Sequence, residues 1–303
     1  MIEVPEHHGG EPESERRRVA LAPALLVGAP RSGTTWLQRM LLAHPDCCGG
    51  QESHFLASFA KVRHDFDHKR DMVRPHGLAA YLTREQLLES LREIWVRTFD
   101  ETIASKPGAR LLLEKTPDHA MHLPFAAELL PACRVIHLVR DSRAVAASLM
   151  RASREPWGRG WAPRTPEAAA QRWLECVEAA ERFGGSAEDS QFLRVHYEAL
   201  HGSATGELRR LLEFLGMSVP DRALEQLVEA GSGARLEAGF ELRGDLRDRS
   251  TKEPAGFAGT GRRDGWRSTL GWRGERRVWS ITQAAMGRLG YTRDGWAGEI
   301  GNA

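Results

Sequence analysis

The sequence predicts an α/β fold, a three-layer α/β/α arrangement around a P-loop-like parallel sheet in a single domain. Apolar runs of strand length occur at 24–28, 110–113, 134–139 and 192–196, and each precedes a helix-like segment. Strands that alternate with helices predict parallel βαβ units with helices on both faces of the sheet. The length of 303 residues suits one large domain of this kind.

The elements follow in a simple order along the chain. Polar residues 1–20 are predicted to be a mobile N-terminal tail, and residues 21–303 form the domain. A short fifth strand is predicted at 47–50, and the segments 53–80 and 231–262 lack periodicity and read as long loops. Helices are predicted at 34–43, 83–100, 118–130, 141–152, 166–183, 205–216, 220–230 and 274–289. Thr83 and Thr165 have the chemistry of helix N-caps.

Composition argues against several functional classes. The chain has 42 basic and 41 acidic residues and a net charge of +1, so it shows no overall signature of a nucleic-acid or membrane partner. Its four cysteines, Cys47, Cys48, Cys133 and Cys176, have no CxxC spacing and support neither a disulfide framework nor a zinc knuckle. No apolar leader or membrane-length run is apparent, so a cytoplasmic setting is expected.

The most informative segment is ALLVGAPRSGTTW at 24–36. A strand, a glycine loop and a helix start together create an anion site, because loop amides and the helix dipole point at the anion. The spacing from Gly28 to Gly33 copies a Walker A loop, but Thr34 stands where that loop has lysine. The loop therefore predicts a phosphate or sulfate ligand without the lysine that binds a triphosphate. Arg31 can supply a cation from within the loop.

This segment resembles the sulfotransferases that use 3′-phosphoadenosine 5′-phosphosulfate (PAPS) as donor, and the resemblance extends over roughly residues 22–275. The string HPDCCGGQE is similar to the protein-tyrosine sulfotransferases, within a bacterial-type pattern. The resemblance implies that the loop binds the 5′-phosphosulfate through Arg31, Ser32, Gly33, Thr34 and Thr35. It also implies sulfuryl transfer to a hydroxyl group.

Further donor contacts follow from the same resemblance. Arg140 ends a strand, and Ser148 lies eight residues later; the family uses an arginine and a serine at this spacing to bind the 3′-phosphate. Trp36 corresponds to a tryptophan that stacks on adenine, although a core position on the first helix is equally consistent with the sequence. Tyr197 corresponds to a tyrosine that borders the nucleotide, or is a half-buried residue at a strand end.

A basic string near the C-terminus completes the expected donor site. The segment GTGRRDGW resembles the family segment that closes over the 3′-phosphate, with Arg262 and Arg263 as the contacts. A solvated basic loop is the alternative for this segment.

The transfer chemistry requires a base and a cation that stabilises the leaving phosphate. The resemblance implies that Glu52 is the general base and that Lys115, with Arg31, stabilises the leaving group. Lys115 belongs to a Lys-Thr-Pro string where the cytosolic sulfotransferases have Lys-Thr-His, so their catalytic histidine is absent. His119 is a weaker candidate for the base.

Metal chemistry is not expected. His64 and His68 are four residues apart, but no third ligand accompanies them, and a solvated or substrate-lining face is the preferred interpretation. The rival functions are a degenerate P-loop kinase or NTPase and a non-catalytic nucleotide-binding module. The acceptor is left open between a small molecule, a tyrosyl peptide and a glycan, with the loops at 53–80 and 151–165 shaping its pocket. A homodimer is also among the assemblies that the sequence allows.

Overall fold

Five parallel strands form the centre of the protein. The computed structural model describes residues 22–231 and 265–300. The strands are β1 (Ala22–Gly28), β2 (Cys47–Gly49), β3 (Leu111–Lys115), β4 (Arg134–Val139) and β5 (Phe192–His196). Their order across the sheet is β2-β3-β1-β4-β5, and every neighbouring pair is parallel. The predicted parallel sheet is confirmed, including its short fifth strand.

Helices connect the strands. Within the described residues they are α1 (Thr34–Leu42), α2 (Phe55–Arg70), α3 (Arg84–Ala104), α4 (Leu123–Leu129), α5 (Ser142–Ala152), α6 (Pro166–Gly184), α7 (Tyr197–Gly202), α8 (Ala204–Phe214), α9 (Asp221–Ala230), α10 (Gly265–Arg288) and α11 (Ala297–Ile300). Two 3₁₀ turns, at Gly77–Ala80 and Pro117–His122, complete the set. The predicted caps are present, since Thr83 accepts a hydrogen bond from Gln86 and Thr165 from Ala168.

The sheet is covered on both faces, as the three-layer prediction requires. Successive side chains of β1 point to opposite faces of the sheet, as in any β-strand. Leu25 and Val27 pack into a core formed with α2 to α6 and α10, whereas Ala24 and Leu26 pack into a core formed with α1, α8 and α9. All four residues are fully buried. The carboxyl ends of the strands therefore meet at one edge between two helical layers.

The expectation of a long loop at 53–80 was wrong, because this segment contains α2 and a 3₁₀ turn. The helical period is hard to detect in the sequence because only Phe55, Leu56 and Phe66 of α2 are buried. The exposed face is stabilised by ion pairs between residues four apart, such as Arg63 with Asp67 at 2.9 Å.

Two other helix boundaries differ from the prediction. The expected helix at 118–130 is divided into a 3₁₀ turn and α4, and Pro124 lies in the first turn of α4, where its missing N–H is tolerated. The last long helix begins at Gly265 rather than 274 and is kinked at Gly271, which has a φ of 60°. The predicted tail at 1–20, most of the predicted loop at 231–262, and Arg262 and Arg263 lie outside the described residues.

Candidate active site

The loop between β1 and α1 passes so close to its neighbours that two positions require glycine. A Cβ atom on Gly28 would lie 2.4 Å from the carbonyl oxygen of Leu138 on β4. Gly33 has a φ of 104°, and a Cβ atom there would lie 2.7 Å from the ring of Tyr197. The loop therefore seats the N-terminus of α1 against β4 and the start of α7.

The loop has the properties of an anion site. The Ser32 hydroxyl is fully buried, and no hydrogen-bond partner for it exists within the part of the chain that the structure describes. A buried hydroxyl without a partner is costly, so a ligand oxygen at this point would stabilise it. The amides of Thr34 and Thr35 lie in the first turn of α1, where a helix offers no internal acceptors. Ser32, Gly33, Thr34 and Thr35 thus lie where the sequence predicted.

Arg31 joins the loop to α5 and to the segment that follows it. Its Nε donates a hydrogen bond to the Ser148 hydroxyl at 3.3 Å, and its guanidinium carbon lies 5.3 Å from the ring centroid of Trp157. Arg31 also has a φ of 75°, an uncommon value for a residue with a side chain. Ser148 therefore contacts the loop arginine, 117 residues away in the chain.

Glu52 and Lys115 form an ion pair at the ends of β2 and β3. The Lys115 ammonium lies 2.5 Å from Glu52 Oε1 and donates to the Thr35 hydroxyl at 3.4 Å. Lys115 is almost fully buried, whereas Glu52 keeps part of its carboxylate exposed. The pair thus reaches the first turn of α1, and the structure brings together the two residues that the sequence selected for chemistry.

The surroundings of Glu52 favour its ionised form. Burial would raise the pKa of Glu52, but His54 and Lys115 outweigh it and lower that pKa to about 2. His54 Nε2 lies 3.5 Å from Glu52 Oε2, and the carboxylate in turn raises the pKa of His54. Glu52 is therefore a carboxylate between two cationic or potentially cationic partners.

Glu114 holds Ser53 and Thr116, the residues that directly follow Glu52 and Lys115 in the chain. It is fully buried and accepts hydrogen bonds from the Ser53 amide and hydroxyl at 3.2 and 2.8 Å, and from Thr116 Oγ1 at 2.6 Å. His119 Nδ1 lies 2.8 Å from Glu114, and His119 is itself buried. His119 is thus engaged by Glu114, which favours a structural role over the predicted reserve role as base.

A second group of side chains lies at the ends of β4 and β5. The Arg140 guanidinium carbon lies 3.9 Å from the centroid of the Tyr197 ring, a close cation–π contact. The Tyr197 ring lies 5.4 Å from the ring of Trp36 on α1, edge to face. Trp36 is half-buried, so it contributes to the core and also borders this group. The structure brings these three predicted donor residues together.

Arg151 belongs near this group, and the sequence reasoning missed it. Burial and the nearby positive charge of Arg140 lower the pKa of Arg151. Arg151 lies on α5, three residues after Ser148, a spacing that places two side chains on the same side of a helix. That spacing was the available signal. Positive charges that repel each other in this way are stabilised by a bound anion.

A buried network behind Arg140 was also missed. The Tyr291 hydroxyl donates to Glu198 at 2.6 Å, and the other oxygen of Glu198 accepts the Asp141 amide at 3.1 Å. Asp141 and Glu198 directly follow Arg140 and Tyr197 in the chain. The network therefore fixes the backbone next to both residues. Little in the sequence indicates that a tyrosine so far along the chain would reach this position.

A cavity opens beside the loop. It has a volume of about 490 Å³ and is lined by Pro30, Asp118, Leu149, Trp161, Pro163, Ala168, Gln171, Arg172 and Glu175. Trp161 packs near Trp157 with ring centroids 6.2 Å apart, and its Nε1 donates to the Trp157 carbonyl. Part of the predicted acceptor-shaping segment 151–165 thus forms a wall of this cavity.

The described residues contain no group of three or more metal-ligating side chains placed to hold an ion. His64 and His68 lie on the exposed side of α2. In the same part of the chain, no helix combines the length and the apolar character needed to cross a bilayer. The four cysteines are buried and unpaired.

The fold and the site define an α/β protein with a loop suited to an anion and an adjacent carboxylate–ammonium pair. A profile of the sulfotransferase family matches residues 23–221. The chain belongs to the sulfotransferase family. The expectation drawn from the loop and the HPDCCGGQE string is confirmed at this level.

Individual relatives agree with this assignment. The protein-tyrosine sulfotransferase of Drosophila melanogaster is 27% identical over 220 residues, which are 71% of this chain and 42% of that protein. Protein-tyrosine sulfotransferase 1 of Danio rerio is 28% identical over 228 residues, 71% of this chain and 59% of that protein. The chain thus spans 42% to 59% of the length of these two relatives.

A solved structure has a similar fold. The mouse sulfotransferase SULT7A1, crystallised in complex with PAP, superposes with a TM-score of 0.56 at 16% identity. The match covers 88% of this chain and 84% of that one. It supports the three-layer fold.

Proposed function

We propose that this protein transfers the sulfuryl group of PAPS to a hydroxyl acceptor. The observation that carries the proposal is the Glu52–Lys115 pair, which reaches the first turn of α1 beside an anion-binding loop. A loop of this kind without the Walker lysine suits a phosphosulfate better than a triphosphate. Family membership and the named relatives support the same reaction.

The residues present fit such a donor. The buried, unpartnered Ser32 hydroxyl and the first-turn amides of α1 are suited to the oxygens of the 5′-phosphosulfate. Arg140, with Arg151 close by, is suited to the 3′-phosphate. Trp36, which is half-buried, offers an aromatic face for the adenine, and the buried Tyr197 holds Arg140 beside it. Ser148 would act through its contact with Arg31.

When bound, the donor supplies an electrophilic sulfur atom and a phosphate leaving group. Glu52 would accept the proton of the acceptor hydroxyl as the new O–S bond forms and the bond from sulfur to the bridging oxygen breaks. Lys115 and Arg31 would neutralise the negative charge that develops on the leaving phosphate.

The pKa of Glu52 determines how well this residue can act as the base while Lys115 stabilises the leaving group. With Lys115 at 2.5 Å, Glu52 is ionised but weakly basic, because its pKa is about 2. A base works best when its pKa approaches the working pH. If Lys115 turns toward the leaving oxygen, Glu52 loses a cationic partner and becomes a stronger base. The same ammonium thereby couples leaving-group stabilisation to base activation.

The two rival functions have less support. A kinase or NTPase requires carboxylates that hold Mg²⁺ next to the loop. Here Glu52 is paired with Lys115, and Glu114 is occupied by Ser53, Thr116 and His119. A non-catalytic nucleotide-binding module has no need of a buried lysine beside a carboxylate.

Several finer assignments belong to the same proposal. The acceptor is a small molecule, a tyrosyl peptide or a glycan, and it approaches from the side of Trp157 and Trp161. A reducing, cytoplasmic compartment suits four buried free thiols. A homodimer is compatible with the proposal, and size-exclusion chromatography with light scattering tests it directly.

Calorimetry with three nucleotides tests the donor. We expect 3′-phosphoadenosine 5′-phosphate to bind much more tightly than 5′-AMP, because only the first offers a phosphate to Arg140. A charge-assisted contact of this kind contributes about 1.5–3 kcal/mol. Equal affinities would remove the 3′-phosphate assignment, and tightest binding of ATP with Mg²⁺ would favour the kinase. Incubation with radiolabelled PAPS and a panel of hydroxyl acceptors then tests the transfer itself.

A further inference from the structure

The cavity is lined by residues that are close in the sequence to those of the proposed transfer centre. Pro30 precedes Arg31 in the loop, Leu149 follows Ser148 on α5, and Asp118 lies three residues after Lys115. Three elements that contribute to the site therefore also line the cavity.

Two indole rings lie between Arg31 of the loop and the cavity. Trp157 lies beneath the Arg31 guanidinium, and Trp161 packs near Trp157 while lining the cavity. Trp161 is 49% exposed. An aromatic surface thus extends from the loop arginine to the cavity, where a ligand can contact it.

The polar lining consists of planar groups arranged in two pairs. Arg172 on α6 forms an ion pair with Asp118 at 2.6 Å, and the Gln171 amide donates to Glu175 at 3.1 Å. Two carboxylates and one guanidinium leave this lining with one net negative charge. The remaining lining residues, including Trp161, Pro163 and Leu149, are apolar.

This combination discriminates among acceptor classes. An acidic peptide would place its carboxylates against a lining that is already negative, which is unfavourable. A simple phenol has a single hydroxyl and could reach only one of the two polar pairs. A saccharide has C–H groups that suit the negative face of an indole, and several hydroxyls that both donate to carboxylates and accept from guanidinium and amide groups. A volume of about 490 Å³ also suits a small ligand.

We propose that this cavity holds the acceptor and that the acceptor is a neutral saccharide hydroxyl. The inference rests on the proposed sulfuryl transfer and specifies its substrate class. Trp161 provides the stacking surface, and the paired groups of α6 and Asp118 orient the hydroxyls. The hydroxyl that points toward the loop loses its proton to Glu52 and gains the sulfuryl group from the donor, and the donor leaves as 3′-phosphoadenosine 5′-phosphate.

The first test is an acceptor panel with radiolabelled PAPS. N-acetylglucosamine, lactose and cellobiose are compared with 4-nitrophenol and with a tyrosyl peptide flanked by glutamates. We expect at least one saccharide to have the highest kcat/KM of the panel. A higher value for the phenol or the peptide overturns the saccharide assignment, and so does the absence of transfer to any of the three saccharides.

The second test uses variants of the cavity, measured with the best saccharide of the panel. Trp161→Ala should raise the saccharide KM about tenfold, roughly the value of one aromatic contact. The affinity for 3′-phosphoadenosine 5′-phosphate should not change. Trp272→Ala is the matched control, because Trp272 is exposed on α10 and does not line the cavity. An unchanged saccharide KM in Trp161→Ala would overturn the placement.

The outcomes separate this inference from the proposed function. A wild-type protein that binds no 3′-phosphoadenosine 5′-phosphate and transfers to no acceptor contradicts the proposed function itself. A wild-type protein that binds this nucleotide and sulfates only the phenol or the peptide contradicts the saccharide inference alone.

Discussion

The two halves of the site handle charge in opposite ways. At the ends of β2 and β3, Glu52 and Lys115 neutralise each other at 2.5 Å. At the ends of β4 and β5, Arg140 lies over the Tyr197 ring and its positive charge acts on Arg151, while the adjacent Asp141 carboxylate pairs with Arg143. One half is a closed pair of opposite charges, and the other is a group of like charges.

This difference assigns separate tasks to the two halves. Like charges held together gain stability from a bound anion, so the β4–β5 half is suited to binding. A closed ion pair gains little from a ligand until one partner moves, so the β2–β3 half is suited to a step in which charge shifts. Changes in one half should therefore alter affinity, and changes in the other should alter turnover.

The largest expected effect tests the β2–β3 half. Glu52→Gln should reduce saturated turnover by about 10²–10⁴-fold, the usual contribution of a general base. Its affinity for 3′-phosphoadenosine 5′-phosphate should stay close to that of the wild type. Radiolabel transfer and calorimetry measure the two quantities, and Glu89→Gln, an exposed carboxylate on α3, is the control. Full turnover in Glu52→Gln would place the base elsewhere.

The next effect tests the β4–β5 half in the opposite sense. Arg140→Ala should weaken binding of 3′-phosphoadenosine 5′-phosphate by roughly 10- to 150-fold, because a charge-assisted contact is worth about 1.5–3 kcal/mol. Binding of 5′-AMP should change much less, and turnover at saturating donor should remain. Arg159→Ala, at an exposed position, is the control for calorimetry. If Arg140→Ala lost turnover but kept its affinity, the assignment of binding to the β4–β5 half and of chemistry to the β2–β3 half would be contradicted.

The two halves also differ in how far the sequence predicted them. Arg31, Glu52, Arg140 and Tyr197 each follow a strand or lie in the loop after one, and Lys115 is the last residue of β3. Parallel strands bring their carboxyl ends to one edge, so their clustering followed from the fold class. The ion pair of Glu52 with Lys115 could not be predicted from the fold class. The two side chains are 63 residues apart in the chain, and their contact depends on tertiary packing that sequence spacing does not specify.

Elements with few buried positions escaped prediction for a related reason. The helix α2 buries only three residues, so its sequence has the composition of a loop. The contact of Tyr291 with Glu198 depends on where the C-terminal segment packs, and no local pattern specifies that. The sequence thus predicted the strands and the loop, whereas the supporting contacts required the structure.

Tyr291→Phe sharpens the comparison with a smaller effect. It removes the hydrogen bond to Glu198 and with it one support of the backbone next to Arg140. Affinity for 3′-phosphoadenosine 5′-phosphate should fall by about 2- to 10-fold, the value of one hydrogen bond of about 0.5–1.5 kcal/mol. Saturated turnover should be retained. Tyr81→Phe, at an exposed tyrosine, is the control; a lower melting temperature with unchanged affinity would indicate a purely structural role.

The smallest effect concerns the protonation of Glu52. Its pKa is lowered to about 2 from an ordinary value of 4.5, against the opposing effect of burial, by His54 and Lys115. A carboxyl with a lowered pKa in the folded state stabilises the fold above its unfolded pKa. That contribution disappears as the pH falls from about 4.5 toward about 2. Removing one of the two lowering partners should raise the lower end of this pH window and so narrow it, because the pKa in the unfolded state does not change.

His54→Ala removes one of the two side chains that lower the pKa of Glu52 and leaves the other, Lys115, in place. The pKa of Glu52 should rise. The pH dependence of kcat/KM reports the pKa values of the free enzyme, so the acid limb of the kcat/KM profile should move to higher pH. Saturated turnover at neutral pH should change little, since His54 contacts the base and not the donor loop. His68→Ala, at an exposed histidine on α2, the helix that begins directly after His54, should leave the profile unchanged. If the acid limb of the kcat/KM profile is the same in His54→Ala and the wild type, Lys115 alone controls the ionisation of Glu52. The β2–β3 half would then consist of these two residues without His54.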